Sequence, residues 1–268
     1  MKSLLTITLI LLCLSSQAQE KKITIDLNAG YVNSKFKLDN TEDFKSSSRS
    51  GFYAGFSVNR PFNDKFSLQS GLFLIGKGGK FSENVDFEED EERFVSAKPI
   101  VPKTISQHLV TGNFSRKSVA NLRSESKLTS ETQDSEDSEF IASSSIDMSI
   151  QYIEIPLNAT YTLSTNSGQM QIGAGPYYAF AISGRMKSTI DAEEDEEQNS
   201  EKLKFGNSAD DNFRRHDFGL NFVAGFRFDN KISIKAGYGL GLADIASASS
   251  EGSIKNRLFS IGLGYSLK

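Results

Sequence analysis

No hydrophobic run in the 268 residues reaches the length of about 20 that a membrane-spanning helix needs. The longest, LLTITLILLCL at residues 4 to 14, is barely half of it, so a polytopic helical membrane protein is excluded. Cysteine is almost absent too. The single Cys13 lies inside that run, which follows the positive start Met1-Lys2 and precedes the small-x-small triplet Ser16-Gln17-Ala18. These are the three parts of a secretory signal peptide, with cleavage expected after Ala18. Leu12 stands immediately before Cys13, where a lipobox carries a small residue, so lipidation is not expected. Removing residues 1–18 leaves a chain from 19 to 268 with no cysteine, which excludes disulfides, thiol catalysis and Cys-ligated zinc in a compartment that would permit disulfides. There is no Trp and there are two His, against 21 Gly and 20 Phe. The net charge of −4 argues against nucleic acid as a partner.

What is present is alternation. Eight segments carry apolar residues at every second position, which is the mark of a strand with two unlike faces. They are Ile23 to Tyr31, Phe52 to Val58, Phe66 to Leu74, Ile153 to Leu163, Met170 to Ile182, Phe218 to Phe228, Ile232 to Leu242 and Phe259 to Leu267. None of the apolar sets holds a charge. Alternation by itself fits a soluble barrel or sandwich with the apolar face inward as well as a membrane barrel with that face on lipid. The opposite face separates them. A water-facing sheet surface carries Lys, Glu and Thr, whereas here it is rich in Gly55, Gly71, Gly173, Gly175, Gly219, Gly237 and Gly262, which suits the crowded interior of a narrow barrel.

Connection lengths give a second argument. After the second, fourth and sixth segments they are short and rich in turn formers: Arg60 to Lys65, Ser164 to Gly168, and Asp229-Asn230. After the first, third, fifth and seventh they are long, at about 33–50, 80–145, 184–213 and 244–256. Short and long connections alternate in this way in outer-membrane barrels. The expectation is an all-β, eight-stranded antiparallel up-and-down transmembrane β-barrel with long extracellular loops, both termini on the periplasmic side.

Gln151-Tyr-Ile-Glu-Ile-Pro-Leu157, Gly173-Ala-Gly-Pro-Tyr-Tyr178, Asp217-Phe-Gly-Leu220 and the ending Phe259-Ser-Ile-Gly-Leu-Gly-Tyr265 resemble the small outer-membrane β-barrel family of Bacteroidota, often called PorT-like or "porin family". Leu68-Gln-Ser-Gly-Leu72 leading into Lys77-Gly78 is similar to that family's third strand. The resemblance spans the chain after the signal and implies an eight-stranded outer-membrane barrel. It implies no reaction, although one branch of the family is associated with secretion machinery. The loop at about 80–145 is longer than the family pattern.

Two acidic runs stand out, Glu83 to Glu92 and Asp191 to Glu197. Their carboxylates, Glu88, Glu89, Asp90, Glu193, Glu194 and Asp195 foremost, are candidates for divalent cations at the cell surface, bridging to lipopolysaccharide phosphates. Neither run has the spacing of a calcium loop, and solvated loops of this composition are common. The Ser-rich stretch from 115 to 145 is equally polar. His108 and His216 sit in no nucleophile–base–acid spacing, and neither Gly76-Lys-Gly-Gly-Lys80 nor Gly237-x-Gly239-x-Gly241 matches a nucleotide-binding loop. No enzyme, metal site or cofactor is expected.

If the apolar sets face lipid, then Asp26, Glu154, Arg227 and Lys235 point into the lumen, two of each sign. Buried charges persist when paired. The expectation is a salt-bridged plug with Gln69, Gln171 and Asn221, so that the protein is a closed barrel with a structural or surface-interaction role. The alternative is a narrow porin-like channel or a secretion or transport accessory barrel. Expected partners are outer-membrane lipid and lipopolysaccharide, the barrel assembly machinery, and envelope or secretion proteins. Pro156 lacks an N–H for the ladder, and the apolar set changes parity between Tyr152 and Ile153, so a bulge is expected there.

Overall fold

The computed structural model describes residues 22–39, 46–86, 141–192, 195–208, 211–247 and 252–267. The expected signal peptide at 1–18 lies outside them. They form strands β1 (Thr24–Asp39), β2 (Arg49–Pro61), β3 (Phe66–Asp86), β4 (Ile141–Thr165), β5 (Gly168–Ala192), β6 (Asp195–Lys202), β7 (His216–Phe228), β8 (Ile232–Gly241) and β9 (Ser253–Ser266). Eight of them close a ring, all antiparallel, in the order β1-β2-β3-β4-β5-β7-β8-β9, with β9 back on β1. β6 stands outside the ring. Among the described residues it pairs only with the far end of β5, from Arg185↔Lys202 to Ala192↔Asp195, beyond the last β5–β7 pair at Phe180↔His216.

The stagger of the ring follows from the register. From Leu68 on β3, paired positions run through Ala159, Ala174, Phe222, Tyr238 and Phe259 to Asn33 on β1. In the other direction Leu68 faces Arg60, one step past the Asn59↔Thr24 pair, which lies level with Ile23, ten residues from Asn33. For eight strands that stagger corresponds to a tilt of about 40° and a bore that side chains fill. The short connections are all at one end. Asn63 Oδ1 accepts from the amides of Lys65 (2.9 Å) and Phe66 (2.7 Å), and Lys231, at φ 70°, closes the Asp229-Asn230 turn by donating its N–H to Phe228 O at 3.1 Å.

Around the lower ring the apolar sets face outward. Phe52 is 77% exposed and Leu263 60%, and most large side chains of all eight sequence segments, such as Ile25, Leu27, Leu72, Ile155, Ile172, Phe222 and Ile234, are exposed likewise. Soluble monomers rarely expose a contiguous apolar patch above a few hundred Å². Seven of the eight outward sets cover 9–13 residues and the second, Phe52 to Val58, covers seven; nine residues tilted by about 40° rise about 23 Å, close to the apolar band of a membrane barrel. Aromatic rings border it, with Phe66 against Tyr161 (5.1 Å) and Phe226 against Phe228 (4.9 Å) near the short turns.

Above the band the pattern inverts. On β1 the outward sequence passes from Ile25, Leu27, Ala29 and Tyr31 to Asn33, Lys35 and Lys37, while the inward one passes from Asp26 and Asn28 to Val32 and Phe36. β4 does the same, with Ile146, Met148, Ile150 and Tyr152 inward and Ile153, Ile155 and Leu157 outward. The solvent changes, not the strand, so the parity change at Tyr152/Ile153 is no phase break in β4. The register break lies across from it: Gln151 pairs with Ser183 but Tyr152 with Ala181, so Ile182 is the extra residue and the bulge belongs to β5. At Pro156 the register is unbroken on both sides, which corrects the expected bulge there.

The strands therefore run far past the membrane band, and the long connections are shorter than the alternation suggests. β1 continues to Asp39, β3 to Asp86 and β5 to Ala192, while β4 starts at Ile141 and β9 at Ser253. The upper lumen is filled. Phe36 stacks between Phe81 and Phe213, both at 6.1 Å, and Ile146, Met148, Met186, Leu203, Ile245 and Ile254 complete an apolar core. Residues 203–208, 211–213 and 243–247 fold over it. They are held by Leu203 N–H on Gly184 O (3.0 Å), Arg214 N–H on Ile245 O (2.9 Å) and Ile245 N–H on Ile254 O (2.9 Å). Gly184 is the inward position left without a side chain, and Leu203 and Phe205 occupy the space a Cβ there would need.

Candidate functional site

The lower lumen is polar because inward parity falls on Asp26, Asn28, Ser57, Asn59, Thr160, Arg227, Ser233 and Lys235. The structure brings three of the four expected charges together. Asp26, 1% exposed, accepts from Arg227 Nη2 at 3.1 Å, Lys235 Nζ at 3.0 Å and Ser266 Oγ at 2.6 Å. Lys235 Nζ also donates to Asn28 Oδ1 (2.6 Å), and Asn28 Nδ2 donates to Ser57 Oγ (3.1 Å), so the network crosses from β8 through β1 to β2.

Glu154, the fourth, belongs to a separate cluster nearer the apolar cap. Its partner is Lys77, 2% exposed, whose Nζ lies 2.8 Å from Glu154 Oε2 and 3.0 Å from Asp217 Oδ2. Asp217 is fully buried and also accepts from Asn256 Nδ2 (2.9 Å) and Tyr177 OH (3.2 Å), while Asn221 Nδ2 donates to Glu154 Oε1 at 3.2 Å. The ammonium lies over the Tyr177 ring at 4.3 Å and near Tyr152 at 5.1 Å. Five strands, β3, β4, β5, β7 and β9, converge on this one point of the bore.

Lys77 and Asp217 were missed, although parity reaches both. Leu72 and Leu74 face outward, so Lys77 must face inward; Phe218 faces outward, so Asp217 must not. The glycines around Lys77 hide the alternation there. By formal charge the upper cluster counts one cation and two anions and the lower cluster two cations and one anion, so the two clusters together sum to zero.

Between the clusters lies a cavity of about 120 Å³, bordered by Glu154 on one side and Lys235 on the other and walled by Asn28, Tyr53, Gln69 and Asn158. Gln171 borders it too and donates to Thr162 Oγ1 (3.3 Å), not to a charge. The Tyr53 ring is pressed over Gly30 and Gly262, where a Cβ on either would collide with it and with the neighbouring strand.

The remaining candidates are elsewhere. Glu88, Glu89, Asp90, Glu193 and Glu194, with His108, lie outside the described residues, and Asp195 opens β6. His216 faces outward, its Nδ1 2.6 Å from Tyr178 OH and its ring 5.5 Å from that of Phe180, as part of the aromatic border at the long-loop end.

Solved structures with a similar fold include Ail, the attachment invasion locus protein of Yersinia pestis, with 14% identity over 91% of this chain and 97% of that one and a TM-score of 0.33. OprG from Pseudomonas aeruginosa has 16% identity over 92% of this chain and 97% of that one, with a TM-score of 0.36. Neisserial surface protein A has 10% identity over 91% and 99%, with a TM-score of 0.38. No curated protein matches the sequence. The family model described as outer membrane protein beta-barrel domain matches residues 16–247, most of the ring included, and the chain belongs to that outer-membrane family.

Proposed function

We propose that the protein is a non-enzymatic outer-membrane barrel with a structural or surface-interaction role, its lumen plugged and its long-loop end turned to the cell exterior. The observation that carries this reading is the double obstruction of the bore: the Lys77–Glu154–Asp217 cluster, and above it the stacked Phe36, Phe81 and Phe213 under the 203–208, 211–213 and 243–247 segments. A conducting pore needs a continuous wet path, and eight strands leave no room for one beside these side chains. An even number of ring strands puts the start of β1 and the end of β9 at the short-turn end, which is the periplasmic end in this reading, with residues 1–18 removed as a signal. Outer-membrane lipid, lipopolysaccharide, the assembly machinery and envelope or secretion proteins are the partners that such a barrel meets. The PorT-like resemblance of the Tyr152-to-Pro156 element fits the same role.

Purified protein refolded into planar lipid bilayers should give no steady conductance steps. Steady, large steps from the pure protein would overturn the plug and favour the narrow channel, with the cavity of about 120 Å³ as part of its path.

A further inference from the structure

The cavity between the two charge clusters is built into the wall and is not a packing fault. β7 and β8 line it with Gly225, Gly237 and Gly239. A Cβ at Gly239 would meet nothing nearer than 3.4 Å, so strand packing does not demand a glycine there as it does at Gly30 and Gly262. Leaving that inward position bare keeps the space open. At about 30 Å³ per water the cavity of about 120 Å³ has room for about four waters or for one compact molecule.

Its two ends carry opposite charge. The Lys77–Glu154–Asp217 cluster has one anion in excess and the Asp26–Arg227–Lys235 cluster one cation, and among the described residues no ion pair joins them. Along β7, Asn221 reaches Glu154 and Gly225 pairs with Lys235, so the poles stand four residues apart, about 13 Å of strand. Both poles keep bonding capacity. Lys235 Nζ spends two of its three N–H groups on Asp26 and Asn28, and Glu154 Oε1 accepts from Asn221 alone. Asn158, buried at the cavity wall, has an Oδ1 without a partner among the described residues, and buried polar atoms are seldom left so. Phe73, Ile75, Pro156 and Leu258 give the same space an apolar side. Lys77 and Asp217 shut the end toward the cap, whereas the Lys235 and Arg227 side chains stay 21% and 16% exposed, so the approach is from the short-turn end.

We propose that this cavity is a binding site for a compact zwitterion, a small α-amino acid. Its ammonium meets Glu154 and Asn158 Oδ1, its carboxylate meets Lys235, and its apolar body lies against Phe73 and Leu258. A zwitterion answers both poles at once and adds no net charge to the lumen, which neither a lone cation nor a lone anion does. The inference goes beyond the plugged barrel: the lumen holds a solute taken up from one side without passing it on.

The test is equilibrium dialysis of radiolabelled alanine against the mature protein folded in non-ionic detergent, with propionate, which lacks the ammonium, and ethylamine, which lacks the carboxylate, as comparison probes. Alanine should bind saturably, one per chain, and at least about tenfold more tightly than either probe, the worth of one charge-assisted hydrogen bond. Gly239→Val, which fills the cavity and leaves every charge in place, should abolish the binding while the faster-migrating folded band on unheated gels persists. Lys235→Gln, which leaves Arg227 on Asp26, should weaken alanine at least about tenfold. No saturable binding of alanine by the folded wild-type chain, equal binding of propionate or ethylamine, or undiminished binding by folded Gly239→Val would overturn the site. Those results would leave the plug standing if bilayers stay silent, whereas steady conductance from a chain that binds alanine would overturn the plug alone.

Discussion

Replacing Lys77 by Met should destabilise the folded barrel by about 3–5 kcal/mol, the usual cost of removing one partner from a buried ion pair. Met has nearly the stem of Lys and fills the space, so the effect is electrostatic: Glu154 and Asp217 would face each other across the bore with no cation between them. Asn256, Tyr177 and Asn221 already donate to these carboxylates and have no second charge to offer. The measurement is the urea midpoint of the folded, faster-migrating band on unheated gels, with the protein in lipid vesicles. Asp217→Asn should cost much less, because it leaves Lys77 and Glu154 as a neutral pair. The triple variant with Glu154→Gln and Asp217→Asn added to Lys77→Met should recover most of the loss. If Lys77→Met unfolds at the wild-type midpoint, the cluster holds nothing together.

Replacing Phe36 by Ala should cost about 3–5 kcal/mol by the same assay, the range for emptying a buried aromatic site. Phe36 is the middle ring of three, and its neighbours come from places far apart in the chain: Phe81 from the end of β3 and Phe213 from the segment before β7. Deleting the middle ring removes the surface against which Phe213 packs. The variant should therefore also become sensitive to protease between residues 203 and 213 while the ring strands stay protected. Uniform protection with an unchanged midpoint would show that the upper core is not cooperative with the ring. The two substitutions report on different forces, since the Lys77 site is held by charge and the Phe36 site by burial of apolar surface.

The ring itself was legible because lipid imposes a simple rule on the strands that cross it. Ile153, Ile155, Leu157, Ala159, Tyr161 and Leu163 give that rule six times in one strand, and the same parity identifies Asp26, Arg227 and Lys235 as inward. The upper barrel was not legible for the same physical reason. Once β1, β3, β4 and β5 leave the membrane, water replaces lipid outside and the apolar residues move inward. Ile146, Met148 and Ile150 then look like a different strand or a loop, not a continuation of β4. The segment from 184 to 213 holds the last nine residues of β5, all of β6 and part of the cap, yet its outward Arg185 and Lys187 and its acidic run mimic a solvated loop. Lys77 escaped because Gly76, Gly78 and Gly79 carry no side chain from which a face can be read. The bulge at Ile182 left no sign in β4, where the parity change had drawn attention to Pro156. Its function is to change the phase of β5, so that Met186 and Ser188 point inward above a band in which Tyr177, Ala179 and Ala181 do.

That lipid touches the Phe, Leu and Ile stripes can be tested directly because the chain contains no tryptophan. A single Trp at Phe222 or Leu263, both outward in the band, should be strongly quenched by lipids brominated on their acyl chains. Trp in place of the inward Phe73, or of Lys35 above the band, should not be. Quenching at Phe73 with none at Phe222 and Leu263 would mean that the stripes fill the protein's own interior, and the barrel described here would be inside out.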